Sequence, residues 1–321
     1  MRWMDSERPI MALSPMADFT DLPFCRLVRE YSGTDVVIFR EMVSAEAIVR
    51  GNQKTDSICE LDPVEHPVVQ QIFGSKPQVM AEAAKMIEAE HGPDGIDINM
   101  GCPVPKAVNQ FNGASLMKDP ERASEIVKAV KDAINVPLSV KTRLGWSDKK
   151  DVVNFVKVLQ GAGADAIEIH GRTKAQGYSG EADWDMIGEA VKNLKIPAFV
   201  NGDIVDADTA GVALQKSQAR GFLIARGALG RPWIFRRIKI ALETGKDPGD
   251  PQIEERMQML RRHAELQIEA YGERGLIKLR KHLPWYLKNI PNFRQFRADA
   301  VRISMLKDVE ELINKVLSTT Y

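Results

Sequence analysis

The chain has little of what marks a secreted, metal-bound or membrane protein. Its 321 residues include only three cysteines, Cys25, Cys59 and Cys102. Their spacing suits neither a disulfide framework nor a zinc site, and so few thiols fit a reducing compartment. The five histidines form no HExxH pair and no carboxylates cluster with them, so no metal is expected. Net charge is absent too: 44 Lys and Arg balance 44 Asp and Glu. That excludes a uniformly basic nucleic-acid binder and leaves room for a local basic patch. No apolar run approaches the roughly 20 residues of a membrane span. The opening MRWMDSERPIMALSPMA has a short apolar piece, preceded by acidic residues and broken by Pro15. It does not read as a signal peptide, and a cytoplasmic protein is expected. What remains, 44% apolar and 27% charged residues, is a globular composition.

One pattern recurs from residue 8 to about 242. A short apolar run ends in Gly, Pro, Asn or Asp and is followed by an amphipathic helical stretch. The runs are PIMALSPMA (from 9), VVIFREM (36), PVVQQIFG (67), GIDINMGCP (95), PLSVKTRLG (137), AIEIHGRT (166), PAFVNGDI (197) and GFLIARGAL (221). Between them Ile126, Val127 and Val130 share one helical face, as do Val152, Phe155, Val156 and Leu159. Asp119-Pro120 and Asp206 read as helix starts. Eight strand–helix units in series predict a (β/α)8 barrel over residues 1–242. A doubly wound sheet would need a glycine fingerprint after the first strand, and ALSPMADFTD offers none. ETGKDPGDP then marks a linker, 243–250, and residues 251–321 carry helical stretches without a strand-like run. Three helices are expected there, with turns near Tyr271-Gly272 and Pro291-Asn292. From Arg274 to Arg302 eight basic residues face one acid, Asp299, interleaved with Trp285, Tyr286, Phe293 and Phe296. Basic residues with aromatics suit a phosphate backbone and unstacked bases. A solvated helical face with its own core aromatics would read the same way.

A (β/α)8 barrel keeps its active site at the C-terminal ends of the strands. Those ends hold Pro15-Met16-Ala17, Glu41, Gln71, Asn99 with Cys102, Lys141 with Arg143, His170 with Arg172, Asn201-Gly202-Asp203 and Ala225-Arg226-Gly227. Gly202 and Gly227 end strands seven and eight, where many barrels bind phosphate through backbone N–H groups, and Arg226 can add a bidentate contact. Lys141 is the only lysine in a barrel strand. Pointing inward it needs an anionic partner, such as the flavin edge that becomes negative on reduction; otherwise it reaches solvent at the rim. Cys102, in NMGCP, is displayed where a thiol can act as nucleophile or proton donor, whereas Cys25 and Cys59 read as buried small hydrophobes. His170 can hydrogen-bond a carbonyl, and Arg172 can hold a phosphate or a base edge.

These motifs resemble the flavin-dependent tRNA-dihydrouridine synthases along most of the chain. DINMGCPVPKAV is close to that family's DINxGCPxxKV signature. SPMADFTDLPFC, VVQQIFGS, SVKTRLGW, EIHGRTKAQGYSGEADW, VNGDI, IARGALGRPWIF and LRKHLPWYLK match its other segments in order. GRPWIF and the tail look most like the bacterial B-type branch. The resemblance implies an FMN-bearing barrel with a helical tRNA-binding domain, reduced by NADPH or NADH; a monomer is expected. Hydride passes from the flavin to C6 of a uridine, and Cys102 protonates C5. Pro15, Met16, Ala17, Gln71, Lys141, His170, Asn201, Gly202, Asp203, Ala225 and Arg226 would bind FMN. Asn99, Lys106, Arg143, Arg172, Arg280 and Lys281 would meet the RNA. Ala225 departs from the family, standing where a glycine is usual. Three other readings stay open: a folate-using RNA uridine methyltransferase, an FMN oxidoreductase of a free pyrimidine, and an RNA-binding protein on an inactive barrel.

Overall fold

In a computed structural model, which describes residues 3–5, 9–103, 112–288, 290 and 293–320, the eight apolar runs become eight parallel strands. They are β1 (Ile10–Leu13), β2 (Val36–Ser44), β3 (Val68–Phe73), β4 (Gly95–Asn99), β5 (Leu138–Arg143), β6 (Ala166–His170), β7 (Ala198–Asn201) and β8 (Gly221–Ile224). Each pairs with the next, and β8 closes on β1 with Leu13 opposite Ile224. The expected (β/α)8 barrel is the fold.

Alternation along the strands sorts the side chains. One apolar cluster fills the barrel: Ile10, Ala12, Val37, Phe39, Val69, Ala166, Phe199 and Leu223, closed below by Trp3 and Met4. The Trp3 ring packs against Phe39 and Phe199, with centroids 5.6 and 5.7 Å apart. A second, larger cluster lies between strands and helices and continues into the C-terminal helices. The barrel is therefore plugged with hydrocarbon at its lower end, and polar groups are confined to its upper half.

The helices start where their caps stand. Asp119 accepts a hydrogen bond from the Arg122 N–H at the head of Pro120–Ala133, with Pro120 in the first turn. Asp206 and Thr209 form a reciprocal cap on Ala207–Ser217. The anticipated stripes Ile126, Val127, Val130 and Val152, Phe155, Val156, Leu159 are buried.

Among the described residues no strand follows Ile224. The barrel's last helix, Ile234–Thr244, runs two residues into the expected linker before Gly245 ends it. The linker is pinned: Arg237 pairs with Asp247 and Asp250, and Arg231 with Asp250. Of the expected three helices, the first is Ile253–Tyr271 and the last Leu306–Thr320. The middle one, expected between the turns near Gly272 and Pro291, is instead broken into Gly275–Leu279 and Leu283–Tyr286, and the last is preceded by the 3-10 turn Phe293–Phe296 and the short helix Arg297–Arg302. Pro284 explains part of the break, since proline disfavours helical geometry at the residue before it and lacks an N–H. Pro291 and Asn292 lie outside the described residues.

The tail packs on the helix Leu22–Ser32. Phe24 stacks against His263 and His282, 5.7 and 5.1 Å between centroids. Arg262 grips Glu30 at 2.9 Å, and Arg26 reaches Glu269 at 3.2 Å. Residue 230 must be glycine, since a Cβ there would stand 2.5 Å from the Trp285 backbone.

Candidate active site

Above the apolar plug the barrel interior turns polar. Asp97, Ser139, Glu168 and Gln71 are buried, and over them sit Asn99, Lys141, His170 and Asn201. Most alternate with outward apolar neighbours, so strand periodicity brings them together.

Lys141 reaches up from β5 and donates to Asn201 Oδ1 at 3.0 Å. Asn201 in turn donates to the Leu223 carbonyl at 2.9 Å. Burial, with Arg143 close by, pushes the Lys141 ammonium down to about 8, partly offset by Asp97 and Glu168. The lysine has an inward cation and one side-chain acceptor, which is the arrangement of a site that takes an anion or an electron-rich edge.

Cys102 stands half-exposed just past β4. Its loop is held by Asn99, whose Oδ1 accepts from the N–H groups of Gly101 (3.2 Å) and Cys102 (2.9 Å) while its Nδ2 donates to Gln71 Oε1 (2.8 Å). Gly113, at φ +61°, presses against the Cys102 carbonyl, which a Cβ would meet at 2.9 Å. The thiol is thus displayed from an anchored backbone. Lys106, four residues on, lies outside the described residues.

Two arginines anticipated to face RNA also bind backbone carbonyls of the surrounding loops. Arg143 donates from Nε to the Gly101 carbonyl (2.7 Å) and from its terminal nitrogen to the carbonyls of Thr173 (3.1 Å) and Gly177 (2.7 Å). Arg172 donates to the carbonyls of Ser179 and Gly180 and pairs with Asp203 at 2.7 Å. Both tie the β4, β6 and β7 loops together. Gln71 is committed likewise, donating to Asp97 at 2.5 Å and accepting from Asn99. His170 is almost fully buried, and burial together with four neighbouring cations holds its ring well below the usual imidazole range, hence neutral.

The β7 and β8 ends form an open cradle. Gly202 has φ +114°, and a Cβ there would stand 2.9 Å from the His170 ring. Asp203 follows at φ +57°, its carboxylate taken by Arg172 and the Ala182 N–H. Ala225 precedes the short turn Arg226–Ala228. Arg226 is exposed and among the described residues pairs with no carboxylate; its guanidinium lies over the Tyr178 ring, 4.9 Å from the centroid. Pro15 and Met16 are half-buried and Ala17 exposed on the β1 loop, where Met16 bonds with Thr20.

The tail reaches this rim. Lys281 stands 5.5 Å from the Phe19 ring on the β1 loop and acts electrostatically on Glu41 at the end of the central part of β2. Arg280 donates to the Ile303 carbonyl at 2.7 Å. Of the interleaved aromatics, Tyr286 and Phe296 are core, while Trp285 and Phe293 are half-buried under Lys288 and Arg297.

A family model described as dihydrouridine synthase (Dus) matches residues 12–320. The chain belongs to the dihydrouridine synthase family. It is 39% identical over 307 residues to a probable tRNA-dihydrouridine synthase 1 of Synechocystis sp., covering 95% of this chain and 86% of that one. It is 40% identical over 304 residues to tRNA-dihydrouridine synthase B of Pseudomonas putida, covering 94% and 88%. Its relatives thus include the B-type, as its motifs anticipated. Among solved structures it is similar to 2-naphthoyl-CoA reductase in complex with 2-naphthoyl-CoA, at TM-score 0.53 and 13% identity. That match covers 72% of this chain but only half of that protein, and it concerns the barrel fold alone.

Sequence reasoning passed over three parts of this family member's site. Asp97 and Glu168 sit inside the barrel; a charged residue within an apolar strand run was the available signal. Tyr178, lying between Arg143 and Arg226, was marked only by its place in the segment EIHGRTKAQGYSGEADW. His263, to which the sequence pattern gave no role, joins Asp21 and His282 in a buried trio at the barrel–tail junction.

Proposed function

We propose that this chain is a tRNA-dihydrouridine synthase that binds FMN at the barrel mouth, is reduced by NADPH or NADH, and reduces the C5=C6 bond of specific tRNA uridines. The observation that carries the reading is the pairing of a displayed Cys102 thiol with a half-buried Lys141 ammonium across one barrel mouth, in a chain of this family. The site's chemistry fits the cofactor. Lys141 offers a cation to the ring's electron-rich edge, the bare Gly202 backbone and the unpaired Arg226 suit a phosphate, and Pro15, Met16 and Ala17 line the opposite rim. Bound FMN would supply the hydride for uridine C6.

The protein's own part begins with positioning. Asn99 fixes the loop that presents the Cys102 thiol, and Arg143 and Arg172 hold the surrounding loops at their carbonyls. Neutral His170 can hydrogen-bond a carbonyl oxygen. The uracil C4 carbonyl polarises C5=C6, so hydride is accepted at C6 and a proton at C5. The Cys102 thiol gives up that proton, and the thiolate is reprotonated from solvent through the open mouth. The target base must first leave its stack, at about a few kcal/mol. The helical residues 251–321, with Arg280 and Lys281 near the mouth, offset this through phosphate contacts. We assign the enzyme to the cytoplasm as a monomer; three unpaired cysteines suit that compartment, and no helix among the described residues is long and apolar enough to cross a membrane.

The test is nucleoside mass spectrometry of unmodified tRNA incubated with the protein, FMN and NADPH. A gain of two hydrogens on uridine supports the reading. Uridine left unchanged by a protein that still oxidises NADPH would refute it, and gain of a methyl group with methylenetetrahydrofolate would put the methyltransferase in its place.

A further inference from the structure

Beneath Lys141 two carboxyl groups lie where no solvent reaches. Asp97 on β4 and Glu168 on β6 are both fully buried. Asp97 accepts from Gln71 Nε2 at 2.5 Å and from the Ser139 hydroxyl at 2.8 Å. Glu168 has no such donors: neither carboxyl oxygen receives an N–H or O–H. Ser139 has one hydroxyl proton, and it goes to Asp97. Strand register sets Asp97 opposite Ser139 and Glu168 opposite Lys141. The two buried carboxyls lie on either side of β5 and Ser139, close enough to act on each other. Two like charges packed together in a dry interior cannot both ionise, and Glu168 has no donor of its own to hold a charge. The cation facing them is Lys141, with Arg143 beyond it.

We propose that Asp97 and Glu168 share one proton and act together as a single-charge counter-ion under Lys141, so that Glu168 is a positioning residue for the electrostatics of the barrel mouth. Glu168 carries the proton and donates it to Asp97, and Asp97 keeps the charge. One acid pair of net charge −1 then lies under one ammonium. Burial raises both carboxyls, and Glu168 well above the usual carboxyl range, in the direction this arrangement requires. The pair thereby limits how much positive potential Lys141 presents to the group above it.

The arrangement has an unusual signature: the charge belongs to the pair. In Glu168→Gln the amide replaces the acid proton and Asp97 remains ionised. In Asp97→Asn the remaining Glu168 ionises in place. Only the double variant removes the negative charge. Infrared spectroscopy of the flavin-free protein at pH 7 is expected to show a protonated-carboxyl C=O band that moves in D2O and is absent from both single variants. With FMN bound, the midpoint potential is expected to stay near the wild-type value in each single variant and to shift positive only in the double variant.

Absence of the band from wild type, or its survival in Glu168→Gln, would overturn the shared proton. A single variant shifting the potential by half the double's shift or more would show two full charges and overturn it as well. An unshifted double variant would overturn the counter-ion role. The potential arm rests on the flavin reading above and the infrared arm does not. A protein that binds no FMN but shows the band therefore refutes that reading and leaves the proton in place.

Discussion

Replacing Lys141 by Met should stabilise the flavin-free protein while abolishing its affinity for FMN. The ammonium is held in the barrel with a single side-chain acceptor, Asn201. Burial lowers it from 10.5 to about 8. Between those values the unfolded chain holds a proton that the folded chain has released. Stability contributed by this group therefore rises as pH climbs from about 8 to 10.5, and below 8 the folded protein carries the full penalty. At about 1.4 kcal/mol per pH unit over that gap, the penalty at neutral pH is about 3 kcal/mol, an upper value because the site opens toward the mouth. Urea unfolding of wild type and Lys141→Met at pH 7 should show the variant more stable by up to that amount. The advantage should fade as pH is raised from 8 toward 10.5. Added FMN should raise the melting temperature of wild type alone, since the ligand relieves a strained cation that the variant lacks. A variant less stable than wild type at pH 7, or an advantage independent of pH, would refute the argument and make Lys141 a structural residue.

Other consequences follow from the same geometry. Cys102→Ala should keep FMN and tRNA binding and lose nearly all dihydrouridine formation in single-turnover assays, because the anchored loop survives while the proton donor does not; normal turnover would remove Cys102 from the chemistry. Burial pushes His263 down to about 3, so its folded form stays neutral while the unfolded chain takes up a proton below 6.5. Stability should fall as pH drops from 6.5 toward 3, by about 4–5 kcal/mol at most, and acid unfolding of His263→Gln should be visibly shallower in that window. Arg280→Ala with Lys281→Ala should weaken tRNA binding, lower the slope of log affinity against log salt by about 1–2, and leave FMN affinity unchanged. A salt slope equal to wild type would take these two residues out of the interface. Gly202→Ala should weaken FMN binding, since its Cβ would stand 2.9 Å from the His170 ring on a backbone at φ +114°; flavin titration at equilibrium measures it.

The barrel was legible because its signal is repeated. Eight apolar runs, each closed by a turn residue, leave little freedom for a chain whose intervening segments have helical period. The strand-end argument located Lys141, Asn201, His170 and Cys102 correctly in one mouth, because parallel strands in a closed barrel must all end on the same face. It did not anticipate that Arg143 and Arg172 also brace the loops. Arg143 and Arg172 sit at strand ends like the rest, yet their donors close on carbonyls of Gly101, Thr173, Gly177 and Gly180, partners in loops whose paths no local pattern specifies. The tail was harder for a related reason. Its middle stretch carried no strand-like run and read as one helix, but Pro284 and the turn into His282 bend it so that Trp285 and Tyr286 meet Gly230. Helical period reports a face; it does not report that the face must fold back on a neighbouring loop.

Asp97 and Glu168 show where reading by strand ends fails. A strand end is exposed to ligand, so polar residues there invite attention. Asp97 and Glu168 lie one layer deeper, where a polar residue is costly and must answer to something above or beside it. Here the answer is Lys141, a cation that the site needs and the fold disfavours. A fully paired lysine would be stable and electrostatically silent, and an unpaired one would cost about 3 kcal/mol or more. A shared-proton pair lies between these limits: it supplies one charge at a distance and leaves the ammonium's own donors facing the mouth. The acids beneath the site and the strain in the lysine are therefore two sides of one compromise, and a substitution at either should be read out at the other.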